Sequence, residues 1–258
     1  MWRIQMSGTG IGARVLRKED FRFVTGKGQY TDDVNRYGQA HAAFLRSPHA
    51  HAEIRSIKLD AARDMPGVID IFTGDDLAAD KIGGLICGWM IHSKDGTPMK
   101  AGAHPALAQG KVRYVGDHVA VVIAEAQAQA RDALEKIEVD YKVLSPAVSM
   151  ADAVKAGAPV IHDVAPDNTV YHWHLGDEAA TNAAFAKAAH VTKLDLVNNR
   201  LVPNPMEPRA AVGDYDSGTG SFTLYTTSQN PHVARLVLSA FIGIAPEHKL
   251  RVIAPDVG

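Results

Sequence analysis

The sequence is poor in cysteine. Among 258 residues there is one, Cys87. A single thiol cannot form an internal disulfide, a four-cysteine zinc site or an iron–sulfur cluster. Net charge is nearly absent too: 27 Lys and Arg against 29 Asp and Glu leave a formal −2. That balance argues against nucleic-acid binding through bulk positive charge. No apolar run approaches the roughly 18 residues needed to span a membrane. The opening stretch MWRIQMSGTGIGARVLRKED lacks the hydrophobic centre of a secretory leader. The cytoplasm is therefore the expected compartment. What remains is an ordinary globular composition, with 46% hydrophobic and 22% charged residues, which excludes collagen, coiled coil and global disorder.

Periodicity gives an order of elements. Strands are expected at Gln39–Leu45, Glu53–Leu59 and Val68–Phe72, and short helices at Ala61–Met65 and Asp75–Ala79, with Pro66-Gly67 as a stop. Residues 83–110 are punctuated by Gly, Pro and His and read as a long excursion. Val112–Ala124 reads as strand, turn at Gly116-Asp117, strand. An amphipathic helix over Glu125–Lys136 and a strand over Ile137–Val143 follow. Such alternation predicts an α/β or α+β domain. After a linker with a short helix at Met150–Lys155, the pattern predicts strands at Thr169–Leu175, Val191–Val197, Met206–Tyr215, Phe222–Thr227 and Leu250–Ala254. Helices are expected at Glu178–Ala189 and Pro231–Ile244, and Asp216-Ser217-Gly218 reads as a hairpin turn.

Four features invite chemistry. Gly8-x-Gly10-x-x-Ala13, with Asp32 and Asp33 some 20 residues on, fits a loose dinucleotide fingerprint, but no buried strand leads into it. His49-x-His51 and His172-x-His174 share a face if extended, yet each lacks a third ligand at a telling spacing, so no metal site is assigned. The flanking of Trp173 by His172 and His174 predicts one buried and one exposed face. In Val202-Pro203-Asn204-Pro205-Met206-Glu207-Pro208-Arg209, three prolines hold an extended mount for Glu207 and Arg209, suited to an active-site wall or to a structural ion pair. In Thr226-Thr227-Ser228-Gln229-Asn230-Pro231-His232, a strand ends and a helix opens, with Asn230 as N-cap and Pro231 as first helical residue. Ligands collect at such corners, and the Gln229 amide both donates and accepts; a bare capping turn is the alternative.

Several longer stretches then carry a resemblance. IGARVLRKEDFRFVTGKGQYTDD, AFLRSPHAHAEIRSI, MPGVIDIFTGDDL, VRYVGDHVAVVIAE, KIEVDYKVL, NRLVPNPMEPRAAVGDYD and LYTTSQNPHVARLVLSAFIGI occur in this order over nearly the whole chain. Together they resemble the amino-terminal portion of the molybdopterin-binding large subunit of the xanthine dehydrogenase, aldehyde oxidase and carbon monoxide dehydrogenase family.

The resemblance implies an α+β chain: an arm over residues 1–19, an α/β hammerhead domain over 20–145, and the beginning of a mixed α/β molybdopterin-binding domain over 146–258. It implies oxidation of an aldehyde, an N-heterocycle or carbon monoxide with oxygen derived from water. The cofactor would be molybdenum–molybdopterin, in its cytosine dinucleotide form. Electrons would pass to iron–sulfur and FAD partner subunits, in keeping with the lone Cys87. Gln229 matches the family glutamine that hydrogen-bonds a molybdenum ligand. Gly258 matches the start of the glycine-rich loop that approaches the cofactor, and Glu207 an acidic position with a structural role near the cofactor region. The rest of that loop and the general-base glutamate would lie beyond residue 258, so the segment is expected to be inactive without the remainder of the large subunit. Partners are a small-molecule substrate and these subunits, with no nucleic acid and no membrane span. A non-catalytic assembly module that keeps the hammerhead fold is the alternative reading.

Overall fold

The computed structural model describes residues 10–13 and 15–258. The glycine fingerprint at Gly8 therefore lies partly outside the described residues. In chain order the elements are α1 (Asp20–Val24), β1 (His41–Arg46), β2 (Ala52–Lys58), α2 (Asp60–Arg63), β3 (Val68–Thr73) and α3 (Gly74–Ala79). Next come β4 (Lys111–Val112), β5 (His118–Ala124), α4 (Gln127–Leu134), β6 (Glu138–Val143), α5 (Met150–Ala153) and α6 (Glu178–Lys187). The last are β7 (Ala211–Asp216), β8 (Ser221–Thr226), α7 (Pro231–Val237) and β9 (Leu250–Ile253). Asp32 and Asp33 sit in a 3₁₀ turn at Thr31–Asp33. A π-helical turn over Leu238–Ile242 continues α7 and closes at Gly243 in the left-handed region. No helix among the described residues is long and apolar enough to cross a membrane.

The chain divides into two compact units that do not follow chain order. The larger comprises Arg36–Pro203 and Arg235–His248. It holds two antiparallel three-stranded sheets, ordered β1-β5-β3 and β4-β2-β6. In β5 the run HVAVVIA is β-branched and uninterrupted, as expected of a strand covered on both faces. Ala120, Val122 and Ala124 pack with Ala130 and Ala133 of α4, Ala43 and Ile71. Val119 joins Ala52, Ala108 and Val112 in a second cluster. Leu45, Ile57 and Val139 border both clusters, so the core is continuous between the two sheets. Alanines on α4 face alanines on β5, which lets helix and sheet approach closely.

Turn chemistry fixes the ends of these strands. Gly67, after Pro66, has φ +81°, and the Gln129 side chain fills the space a Cβ would take. Glu125 N–H donates to the Gly67 carbonyl at 2.8 Å, tying the start of the α4 region to the head of β3. Thr73 donates to Asp76 through both its backbone N–H and its hydroxyl, each at 2.7 Å, and so opens α3. These bonds hold the Asp76 carboxyl below its usual range.

The second unit comprises the described residues up to Asn35, with Asn204–Ala234 and Lys249–Gly258. Its sheet has the order β7-β8-β9. β7 and β8 form an antiparallel hairpin through Ser217–Gly220, with Gly220 at φ +65°. β8 and β9 run parallel, in register from Phe222 opposite Leu250 to Tyr225 opposite Ile253. A parallel pair needs a crossover, and α7 with its π-helical extension lies in it.

Most expected elements form within a residue or two of their predicted bounds. Three expectations are corrected. The stretch Thr169–Leu175 is not a strand; the Val170 and His172 carbonyls accept from the Lys100 and Lys94 N–H groups, and His172 N–H donates to the Ser93 hydroxyl at 3.1 Å. Val191–Val197 alternates like a strand but has no ladder partner. The strand expected from Met206 begins at Ala211, because the prolines at 203, 205 and 208 remove the donors a ladder needs. The strand, turn and strand expected over Val112–Ala124 form, with the two strands in different sheets: β4 joins β2 and β5 joins β1 and β3.

Ile71 is 1% exposed at the centre of the larger cluster. Ile71→Ala is expected to cost about 2–5 kcal/mol, read as a lowered urea midpoint at unchanged slope. An unchanged midpoint would contradict this packing.

Candidate active-site edge

Parallel pairing of β8 and β9 sets which end of the sheet the candidate residues reach. Both strands finish at the same edge of the sheet, Tyr225 beside Ile253. Gln229 follows the end of β8 by three residues, and Gly258 follows β9 by five. Antiparallel β7 starts at that edge, with Ala211 opposite Thr226, so Glu207 just before it arrives there as well. Carboxyl ends of parallel strands are where α/β sheets collect ligands.

Local bonds hold each residue. Thr227 N–H donates to the Ala210 carbonyl at 3.3 Å, and the Thr226 hydroxyl donates to the same oxygen at 3.1 Å. The Asn230 side-chain oxygen accepts from Val233 N–H at 3.3 Å, the expected N-cap before Pro231. Asn230 N–H in turn donates to the Ser228 hydroxyl at 3.1 Å. These bonds leave Gln229 exposed at the tip of the corner, and its amide has no partner among the described residues.

Glu207 is half-buried, and its carboxylate accepts a hydrogen bond from Gly258 N–H. A Cβ at Gly258 would lie 2.7 Å from Glu207 Cβ, so only glycine permits this approach. No Glu207–Arg209 bond forms among the described residues; the proline-rich mount presents Glu207 to Gly258 instead. Asp256 was not singled out by sequence, and nothing in its local pattern marks it. Its carboxylate accepts from the Arg22 guanidinium at 2.5 Å and from Gln29 N–H at 2.8 Å, while Asp256 N–H donates to the Gln29 carbonyl at 2.8 Å. The segment around Gln29 is thereby tied to the chain leaving β9.

The histidine pairs lie apart from this edge in the sequence, in the larger unit. His51 is buried, with Nδ1 2.9 Å from the Ser145 carbonyl, and His49 meets the Tyr141 ring edge-on. His172, Trp173 and His174 are all exposed, so the expected two-faced burial is not seen; Trp173 is 58% exposed. No group of three or more metal-ligating side chains occurs among the described residues.

An exposed amide that donates and accepts, and a backbone approach that only glycine allows, both lie at this end of the sheet. These elements define an α+β unit and a three-stranded sheet with one parallel pair. Residues 25–145 match the aldehyde oxidase and xanthine dehydrogenase a/b hammerhead domain, and residues 161–258 match the molybdopterin cofactor-binding domain. The chain belongs to the aldehyde oxidase and xanthine dehydrogenase family.

The carbon monoxide dehydrogenase large chain of Hydrogenophaga pseudoflava is 37% identical over 98% of this chain and 32% of its own length. The nicotine 6-hydroxylase large subunit of Paenarthrobacter nicotinovorans is 35% identical over 96% of this chain and 29% of its own. Quinoline 2-oxidoreductase from Pseudomonas putida 86 superposes with a TM-score of 0.84 at 38% identity, covering 95% of this chain and 30% of that one. The chain thus spans about a third of the length of these relatives.

Two histidines in the larger unit carry a pH signature. Burial, then Arg46, lowers the His118 pKa; burial, then Arg113, lowers that of His162. Both are shifted toward the neutral form in the fold, while the unfolded chain protonates near its ordinary value of about 6.5. Protons then favour the unfolded state, so this contribution destabilises the protein as pH falls through about 6.5. Urea midpoints are expected to fall between pH 7.5 and 5.5, and less so in a His118→Gln, His162→Gln variant. Equal slopes in the two proteins would contradict the assignment.

Proposed function

We propose that this chain works as a segment of a molybdenum hydroxylase large subunit. That enzyme oxidises an aldehyde, an N-heterocycle or carbon monoxide with water-derived oxygen, and it hands electrons to iron–sulfur and FAD subunits. The observation that carries the reading is the arrival of Glu207, Gln229 and Gly258 at one edge of the β7-β8-β9 sheet. The domain division is an arm over 1–19, the hammerhead over 20–145 and the opening of the cofactor-binding domain over 146–258.

When bound, molybdenum–molybdopterin, in its cytosine dinucleotide form, supplies the two-electron oxidation and the delivery of oxygen. The chain's own residues position it. The Gln229 amide donates through Nε2 and accepts through Oε1, which orients a polar ligand of the cofactor. A neutral amide does not titrate in the working range, so Gln229 orients and does not relay protons. Gly258 lets the backbone come close where a side chain would strike Glu207, and Glu207 fixes the direction of the Gly258 N–H. No general base is assigned within this chain, and the segment alone is expected to be inactive.

Relatives named for carbon monoxide, nicotine and quinoline match this segment at 37%, 35% and 38% identity. Such even similarity supports a role in holding the cofactor, with substrate choice made by other parts of the subunit. The single free thiol, Cys87, suits a reducing cytoplasm.

The test is the complex purified through a tag on this chain and assayed for molybdenum, iron and flavin. Gln229→Ala in that complex is expected to lower turnover by about 10–100-fold at unchanged molybdenum content. Unchanged turnover would contradict the role of Gln229. Oxidation of an aldehyde or heterocycle by the isolated chain would contradict the need for the remainder.

A further inference from the structure

The stretch that reads as a strand and does not form one is informative. In Val191-Thr192-Lys193-Leu194-Asp195-Leu196-Val197, Thr192, Leu194 and Leu196 share one face when extended, and Lys193 and Asp195 share the other, between Val191 and Val197. That is the pattern of a strand with one covered side. Yet Val191, Leu194, Leu196 and Val197 are 48%, 75%, 81% and 88% exposed. Among the described residues, no backbone–backbone hydrogen bond involves residues 189–209. Helix α6, just before, has no buried residue, and its Phe185 is 60% exposed. Exposed apolar side chains along a segment with free backbone donors and acceptors fit one kind of partner: another strand.

We propose that residues 191–197 are a strand-addition site, filled by a β-strand from the portion of the large subunit outside this chain's match. This rests on the functional reading above. The choice of occupant follows from length. The curated relatives match this chain over 98% and 96% of its residues but over only 32% and 29% of their own, so most of such a subunit lies elsewhere. The incoming strand supplies backbone bonds along roughly seven residues, a span of about 23 Å at about 3.3 Å per residue. Its apolar side chains cover Leu194 and Leu196. Opposite Lys193 and Asp195 it carries charges of the opposite sign.

Hydrogen exchange on the complex recovered from its own cells through a tag on this chain, compared with the isolated chain, tests the proposal. Amides of residues 191–197 are expected to exchange at least about 100-fold more slowly in the complex, since ladder bonds replace bonds to water. A Leu194→Asp, Leu196→Asp variant keeps the thermal unfolding of the isolated chain, because both positions are exposed there. It lowers recovery of the complementary large-subunit polypeptide by about tenfold or more.

Equal exchange in both samples overturns the proposal. So does recovery of the chain with no complementary polypeptide, or protection already present in the isolated chain through a second copy. Molybdenum in the same sample separates the two readings. A molybdenum-bearing complex with fast exchange at 191–197 overturns strand addition alone. A protected complex without molybdenum overturns the functional reading alone.

Discussion

The larger unit depends on one strand being buried on both faces. β5 is the middle strand of its sheet, and Val119, Ala120, Val122 and Ala124 are fully buried. One face receives α4, whose Ala130 and Ala133 are also fully buried. The other turns toward Ala52, Ala108 and Val112. Small residues on both sides of the α4 contact leave no room for a larger side chain without moving the helix. That constraint explains why β1 and β3 sit where they do: each takes its register from β5. The Gly116–Asp117 turn completes it, since Ser47 exchanges backbone bonds with both residues at 2.8 Å.

In the other unit the corresponding constraint is a direction. Because β9 runs parallel to β8, the two chain exits share an edge. An antiparallel β9 would send Gly258 to the opposite end, away from Gln229. Capping by Asn230 then presents the amide of the residue before it, and the Asp256 bonds to Arg22 and Gln29 hold the strand exit in place. Here the architecture requires polar and glycine positions that burial does not explain, which is the usual mark of a ligand edge.

Legibility in sequence followed the range of the interactions. The β-branched run of β5 and the alanine-rich face of α4 are local patterns, and they predicted strand and helix nearly to the residue. Asn230-Pro231 located the corner at Gln229 for the same reason: a cap is a contact over three residues. Contacts between distant residues left no such trace. Glu207 and Gly258 are 51 positions apart and Arg22 and Asp256 are 234 apart, so neither bond has a local signature. The convergence at the edge needed the parallel pairing, which periodicity does not encode. The stretch 191–197 failed in the other direction, because alternation states what a segment can pair with and not whether the partner is at hand.

The central claim is that this edge faces the molybdenum cofactor. A cryo-electron microscopy map of the purified complex tests it most directly. The account predicts Gln229 with an amide atom within about 3.2 Å of a ligand atom on the molybdenum, and Gly258 with its backbone against the cofactor. A map in which the Gln229 amide bonds only protein or solvent, with the cofactor at another edge, would contradict it.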